Sequence, residues 1–230
     1  DDDEIDWPAI ESYLALALDS GARAFYVMAY NSRFSQLSLQ EIEQLNQFVT
    51  RRVKSSDESA IVIVADPIHC STKESIEFCR HAESIGADLI SLIFRERYYS
   101  DIQVATHFQL CAESTDVGLL IHEMPFVNGR GGAPMNWPIG LLDRLADIPN
   151  VVAIKEDCKE DAYSREVIET VRDRLNIIIS GGGKRQWLRF ADLGCQAWLN
   201  GIGVFEPKLA TLFWRSYLAG DDTTMQKIIT

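Results

Sequence analysis

The sequence predicts an α/β protein with a TIM (β/α)8 barrel architecture, and residues 1–230 are expected to form a single domain. Short β-branched apolar runs alternate with longer segments of helical period, and repeated strand–helix units are typical of a parallel sheet. Polar residues stand at the carboxyl ends of many of these runs, where barrel enzymes carry their active sites. The glycine fingerprint of a dinucleotide-binding fold is missing after the early strands, which favours a barrel over an open doubly wound sheet.

Seven apolar runs are strand candidates. They are Ala22 to Met28, Ala60 to Ala65, Ala87 to Phe94, Val117 to Met124, Val151 to Asp157, Ile177 to Ser180 and Ala197 to Leu199. The chain opens on a helical pattern, Trp7 to Asp19, with no strand before it. Because a closed barrel needs eight strands, we expect these seven to be strands two to eight, with the first strand upstream of residue 1.

Helical periodicity fills the segments between the strands. The further helical patterns are Leu39 to Lys54, Lys73 to Ile85, Gln103 to Glu113, Pro138 to Leu145, Ala162 to Leu175 and Arg185 to Leu193. Glycine follows three helical stretches, at Gly21, Gly86 and Gly194, where a left-handed residue is expected to end the helix.

Composition limits the partners and the compartment. The net charge of −12 is spread along the chain, which argues against nucleic acid or an anionic membrane surface as a partner. No apolar run is long enough to cross a bilayer, and the first residues are acidic, unlike a signal peptide, so we expect a cytoplasmic protein. Five cysteines without a Cys-x-x-Cys pair indicate reduced thiols with packing roles.

The strongest functional signal is a lysine at the end of a buried strand. Four apolar residues, Val151 to Ile154, run directly into Lys155. Burial disfavours the ammonium form of a lysine, and the neutral amine attacks a carbonyl carbon to form a Schiff base. The alternatives are an interior ion pair between Lys155 and a carboxylate, or a strand that ends one residue earlier and leaves the lysine in water.

Other polar residues are expected around the same mouth, because the carboxyl ends of barrel strands meet there. The candidates for substrate binding are Tyr30, Asn31, Ser32, Tyr98, Lys184, Arg185, Asn200 and Gly201. The loop of Gly181 to Arg185 is typical of barrel phosphate sites, where backbone amides at a helix start bind an anion. Lys184 and Arg185 would then meet the distal end of a substrate; the alternative is a flexible loop with solvated basic side chains.

Three segments resemble one enzyme family. Ile148 to Glu156 looks like the Schiff-base strand of the dihydrodipicolinate synthase and N-acetylneuraminate lyase family, within the Schiff-base class I aldolases. Leu120 to Pro125 resembles that family's Leu-Tyr-Asn-x-Pro strand, and Ser71 to Ile76 resembles the start of its third helix. The resemblance implies a βα barrel that binds pyruvate or another 2-oxo acid as an imine on Lys155, with no further cofactor. It also implies a homo-oligomer (dimer or tetramer), a first strand outside this chain, and a C-terminal helical extension that is truncated or missing.

The chain departs from the family pattern at several positions. The family's Gly-Thr-Thr-Gly loop, which binds the substrate carboxylate, aligns with Ala29 to Ser32, where Asn31 and Ser32 can still donate hydrogen bonds. The arginine that grips a second carboxylate has Arg130 as its nearest counterpart. These departures indicate a divergent lyase, aldolase or dehydratase rather than dihydrodipicolinate synthesis itself.

His122 stands where the family has its proton-relaying tyrosine, and Glu123 replaces the next residue, an asparagine. We expect His122 to act as acid and base, and we expect the activity of the protein to change across about pH 5.5 to 7.5. The alternative is a histidine in the core whose hydrogen bonds are satisfied and which takes no part in the reaction. Glu123 has the opposite strand parity and is expected to face the helix layer.

The sequence therefore predicts a lyase in which Lys155 attacks the ketone, His122 shuttles protons, and Asn31 and Ser32 hold the carboxylate. A non-catalytic, metabolite-binding family member is the alternative. A metal-assisted hydrolase is a third interpretation, with ligands drawn from Asp66, His69, Cys70 and His122.

Overall fold

The computed structural model describes residues 4–27, 36–67, 70–94, 100–125, 135–180 and 182–229. Six of the sequence-predicted candidates lie outside these residues. They are Tyr30, Asn31, Ser32, His69, Tyr98 and Arg130.

The seven predicted strands are present and form one curled parallel sheet. They are β1 Ala24–Tyr26, β2 Ile61–Ala65, β3 Leu89–Leu92, β4 Gly118–Glu123, β5 Val151–Glu156, β6 Asn176–Ile179 and β7 Ala197–Trp198. Each strand pairs with the next one along the chain, in the order β1 to β7. A doubly wound sheet reverses its strand order, whereas a βα barrel does not, so this order is that of a TIM-like barrel. The further strand upstream of residue 1 stays a prediction.

Helices alternate with these strands. They are α1 Trp7–Asp19, α2 Leu39–Ser56, α3 Thr72–Ile85, α4 Asp101–Ala112, α5 Ile139–Ala146, α6 Asp161–Val171, α7 Gly183–Phe190, α8 Pro207–Ala219 and α9 Asp222–Ile229. Short 3-10 helices cover Ala191–Leu193 and Gly201–Val204. Capping boxes at Ser38, Ser71 and Ser100 begin α2, α3 and α4, since each serine binds a Glu or Gln three residues later. Among the helices of the described residues, none has the length and apolar character needed to cross a membrane.

Two helices that were not predicted from the sequence, α8 and α9, follow the last strand. Pro207 stands in the first turn of α8, and Gly220 ends that helix with a φ of 68°. Proline in the first turn and glycine after the last turn are the usual signals for the start and end of a helix, so α8 was predictable from the sequence. The helix α9 then packs against α8.

Most of the buried apolar side chains lie between the sheet and the helices. A second, smaller cluster lies on the inner face of the sheet and is formed by Ile63, Leu120 and Ala153. Since alternate residues of a strand face opposite sides, Leu120 and Ala153 place His122 and Lys155 on the inner face as well.

Candidate active site

Lys155 and His122 lie side by side on neighbouring strands. The register of β4 and β5 pairs the two residues directly, and Lys155 Nζ is 2.6 Å from His122 Nε2. The two residues are 2% and 0% exposed. The interpretation that leaves Lys155 in water is therefore wrong, because β5 continues through Lys155 to Glu156.

A carboxylate completes the cluster. Asp157 Oδ2 is 2.9 Å from Lys155 Nζ and 3.2 Å from His122 Nε2. The side chain of Ser180, directly after β6, also interacts with Asp157 and lowers the pKa of its carboxyl group. This contact is the interior ion pair that was one alternative for Lys155, and Asp157 was not among the predicted site residues. Its position two residues after Lys155 places Asp157 at the same end of the sheet, but the strand ends at Glu156 and does not fix the direction of the aspartate side chain.

The surroundings change the protonation of all three groups. Burial lowers the pKa of Lys155, although the Asp157 carboxylate opposes this shift. Burial and the charge of Lys155 lower the pKa of His122 to about 4. Burial alone would raise the pKa of Asp157, but the hydrogen bond from His122 and the charge of Lys155 outweigh it and hold this pKa well below its usual range. The pKa of His122 thus lies below the range of about pH 5.5 to 7.5 in which the sequence predicted this residue to titrate.

His122 has two alternative hydrogen-bonding states, because a neutral imidazole carries only one N–H. When Nε2 accepts a hydrogen bond from Lys155 Nζ, the single N–H of the ring lies on Nδ1. Nδ1 is buried and has no hydrogen-bond partner among the described residues. When Nε2 carries the proton, it can donate to Asp157. The geometry therefore allows a proton to pass between Lys155 Nζ and His122 Nε2.

Two further hydroxyls line the inner face of the sheet. Tyr26 Oη lies 2.5 Å from Ser91 Oγ, which links β1 to β3. Burial raises the pKa of Tyr26, and the negative charges of Asp66 and Asp157 act in the same direction. Tyr26 was not a predicted site residue, because it lies within an apolar run.

Within the described part of the chain, Lys184 is the member of the basic pair that contacts another predicted site residue. Its Nζ donates to Asn200 Oδ1 at 3.2 Å, and burial lowers its pKa. Arg185 is exposed and its Nε donates to the carbonyl oxygen of Ile229 in α9, at 2.8 Å. Gly201 begins the 3-10 helix that follows Asn200. The structure therefore brings Lys184 and Asn200 together, whereas Arg185 contacts Ile229.

A pair of buried glutamates lies on the opposite face of the same two strands. Glu123 and Glu156 are directly paired in the register of β4 and β5, and both are 0% exposed. Glu123 accepts a hydrogen bond from the Trp137 amide, and Glu156 accepts from the Ser164 hydroxyl. Burial and the charge of Glu156 raise the pKa of Glu123 to about 8. Burial raises the pKa of Glu156 to about 7. The expectation that Glu123 faces the helix layer is confirmed.

Among the described residues of the metal hypothesis, Asp66 and Cys70 lie together and His122 makes other contacts. Asp66 Oδ2 accepts hydrogen bonds from Ser75 Oγ at 2.7 Å and Cys70 Sγ at 3.3 Å. Burial raises the pKa of Asp66 to about 7. His122 contacts Lys155 and Asp157 instead. Within the part of the chain that the structure describes, no three His, Cys, Asp or Glu side chains are arranged to bind a metal ion.

Comparisons with known proteins agree with this fold. The model of the dihydrodipicolinate synthetase family matches residues 1–230. An uncharacterised DapA-like lyase of Pyrococcus abyssi is 24% identical over 221 residues, which are 94% of this chain and 70% of the relative. A 4-hydroxy-tetrahydrodipicolinate synthase of Methanosarcina barkeri is 24% identical over 99% of this chain and 74% of its own length. Among solved structures, the Escherichia coli prophage protein YagE in complex with pyruvate superposes with a TM-score of 0.85 at 21% identity, over 99% of this chain and 76% of that one.

Proposed function

Because the chain belongs to the dihydrodipicolinate synthetase family, we propose that it is a Schiff-base-forming lyase, aldolase or dehydratase that acts on pyruvate or another 2-oxo acid. The observation that carries the proposal is the buried Lys155 Nζ, 2.6 Å from His122 Nε2. Relatives named as lyases and a family structure in complex with pyruvate support the same class of reaction.

In the proposed reaction, Lys155 is the nucleophile. Burial lowers its pKa, which increases the fraction of neutral amine that can attack a carbonyl carbon. His122 takes the proton that the ammonium must lose, because its Nε2 is neutral and in direct contact with Nζ. The same imidazole then returns protons to the carbonyl oxygen, which leaves as water.

Substrate contacts complete the proposal. The hydrogen-bond donors of Asn31 and Ser32 are proposed to hold the substrate carboxylate. Tyr30 and Tyr98 are proposed to line the mouth beside them. Lys184, with Asn200 and Gly201, is proposed to meet a charged distal group of the substrate.

The family's named synthase reaction is not the one we propose. In this chain a histidine replaces the relay tyrosine, the two carboxylate-binding threonines are replaced, and the second-carboxylate arginine has only Arg130 as a counterpart. A carbon–carbon or carbon–oxygen lyase that starts from the same imine accommodates these changes. We also expect a homo-oligomer, dimer or tetramer, which light scattering of the purified protein measures.

Reductive trapping tests the proposed function. The protein is incubated with pyruvate, 2-oxobutyrate or 2-oxoglutarate, reduced with borohydride, and weighed intact by mass spectrometry. A stable adduct is expected on the wild type and on Lys159→Ala, a control in the exposed loop after β5, but not on Lys155→Ala. An equal adduct on all three proteins would refute the assignment.

The contact between Lys155 and Asp157 favours one second candidate, a protein that binds a metabolite without reacting. In that case the ion pair holds Lys155 as an ammonium group. Calorimetric binding of a 2-oxo acid without any trapped adduct would support this candidate.

A further inference from the structure

We propose that Asp157 is a catalytic residue, whose carboxylate is the counter-ion of the protonated imine formed on Lys155. This inference rests on the proposed function. It gives a role to a residue whose side chain touches the reacting nitrogen.

The position of Asp157 fits a counter-ion. Its Oδ2 atom lies 2.9 Å from Lys155 Nζ, and its side chain is 12% exposed. His122 Nε2 on β4 lies 3.2 Å from the same carboxylate oxygen, and the side chain of Ser180, directly after β6, also interacts with Asp157. The carboxylate is therefore already in place beside Nζ before any substrate binds, so it needs no large reorganisation when the imine forms.

The charge at Nζ is the same before and after imine formation. The ammonium gives one proton to His122, the amine forms a C–N bond to the carbonyl carbon, and the electron pair of the C=O bond moves to oxygen. The carbonyl oxygen leaves as water. Of the three ammonium protons, two leave in that water and one stays on the iminium nitrogen. Asp157 therefore faces one positive charge at both stages.

A positive charge on the buried nitrogen is unfavourable unless a negatively charged group lies beside it. Burial already lowers the pKa of the Lys155 amine, and it acts on an iminium cation in the same direction. A neutral imine is a weaker electron acceptor than an iminium ion, and the lyase reaction depends on that acceptor. An opposite charge within about 4 to 6 Å raises the pKa of a cation by about 1 to 3 units, which keeps the imine protonated.

Other titratable groups face the same region and must be separated from Asp157 in any test. They are Tyr26 on β1, Asp66 after β2, His122 on β4, and Glu123 and Glu156 on the outer face of β4 and β5. Glu156 provides the matched control. It is the residue between Lys155 and Asp157, and it carries the same charge as Asp157 when it is ionised. Its side chain faces the helix layer, where it accepts a hydrogen bond from the Ser164 hydroxyl.

The test measures trapping of the protonated imine as a function of pH. Wild type, Asp157→Asn and Glu156→Gln are each saturated with pyruvate and reduced with cyanoborohydride from pH 6 to pH 10, and the adduct is quantified by intact mass. Asparagine keeps the shape of the side chain and removes its charge. The alkaline midpoint of trapping is expected to fall by about 1 to 3 pH units in Asp157→Asn and by clearly less in Glu156→Gln, because the charge of Glu156 raises the pKa of Lys155 less than that of Asp157 does.

The outcomes separate a counter-ion from a structural ion pair. If Asp157 only positions Lys155, the adduct of Asp157→Asn decreases by the same factor at every pH and the midpoint does not move, which overturns the proposal. Asp157→Glu restores the charge and is expected to restore the midpoint. If Asp157→Asn does not fold, Asp157→Ser gives the same readout with a smaller neutral side chain. A wild type that forms no adduct at any pH overturns the proposed function, and this inference with it; an adduct with an unmoved midpoint overturns this inference alone.

Discussion

Lys155 Nζ lies 2.6 Å from His122 Nε2, on adjacent strands, and both side chains are buried. In the proposed reaction the lysine must lose a proton before it attacks a carbonyl, and it touches an imidazole with a lowered pKa that can accept that proton. The register of β4 and β5 fixes this contact, since it pairs the two residues directly.

Replacing His122 by phenylalanine is expected to slow turnover about a hundredfold or more, because the ring keeps its volume and loses its acid and base. Steady-state kinetics with a substrate identified by trapping measure the effect, and circular dichroism checks the fold. His122→Tyr is the comparison variant, since the family's relay residue is a tyrosine. Full-rate turnover by His122→Phe would remove the imidazole from the mechanism.

The pH dependence of turnover is expected to lack an inflection from His122 between about pH 5.5 and 7.5. Burial and the charge of Lys155 lower the pKa of this imidazole to about 4. The imidazole is therefore expected to become protonated, and to stop acting as a base, only at acid pH. The logarithm of kcat/KM, plotted from pH 4 to pH 9 for wild type and His122→Tyr, tests this. A wild-type step near pH 6.5 that is absent from His122→Tyr would contradict the expectation.

Glu123 is expected to make the folded state less stable as the pH rises. Its pKa is raised from 4.5 to about 8, so between these values the folded state holds a proton that the unfolded state has released. The free energy of unfolding then falls with pH by up to about 1.4 kcal/mol per pH unit from this group. Urea unfolding at pH 6, 7 and 8 should show a shallower fall in Glu123→Gln than in the wild type.

The control for that measurement is Glu166→Gln, which removes an exposed carboxylate from α6. Its pH dependence is expected to follow the wild type. Equal slopes for Glu123→Gln and wild type would mean that Glu123 is ionised in the folded protein.

Lys184→Ala is expected to weaken trapping of carbonyl compounds with a charged distal group, such as 2-oxoglutarate, by about tenfold, while pyruvate is unaffected. The reason is that Lys184 Nζ lies beside Asn200, near the ends of β6 and β7, whereas Arg185 Nε binds Ile229. Half-saturating concentrations in the trapping assay give the comparison, with Arg185→Ala as the control. A similar loss for both variants, or for both ligands, would indicate a structural role of the loop.

The order of strands and helices was predictable because each element carries its own period and its own end signals. Most helix boundaries agree within two residues; α6 is shorter than predicted because it ends at Val171 and not at Leu175. The pairing of Lys155 with His122 follows from strand parity together with the family resemblance. In contrast, the separation of Lys184 from Arg185 depends on where α7 begins. The helix begins at Gly183, and successive helical residues point about 100° apart, so the two side chains diverge.

The contact of Asp157 with Lys155 was harder to predict. Asp157 lies one residue after the end of β5, and its direction depends on the backbone beyond the strand. The aspartate could be placed at the mouth from sequence, but its 2.9 Å contact with Nζ required coordinates.

The most direct test of the central claim is the position of the trapped adduct in the chain. Wild-type protein is reduced with borohydride in the presence of pyruvate, digested, and sequenced by tandem mass spectrometry. The reduced imine is expected on Lys155 alone, with no adduct on Lys159 or Lys184. An adduct on another lysine, with Lys155 recovered unmodified, would contradict the assignment of Lys155 as the Schiff-base residue.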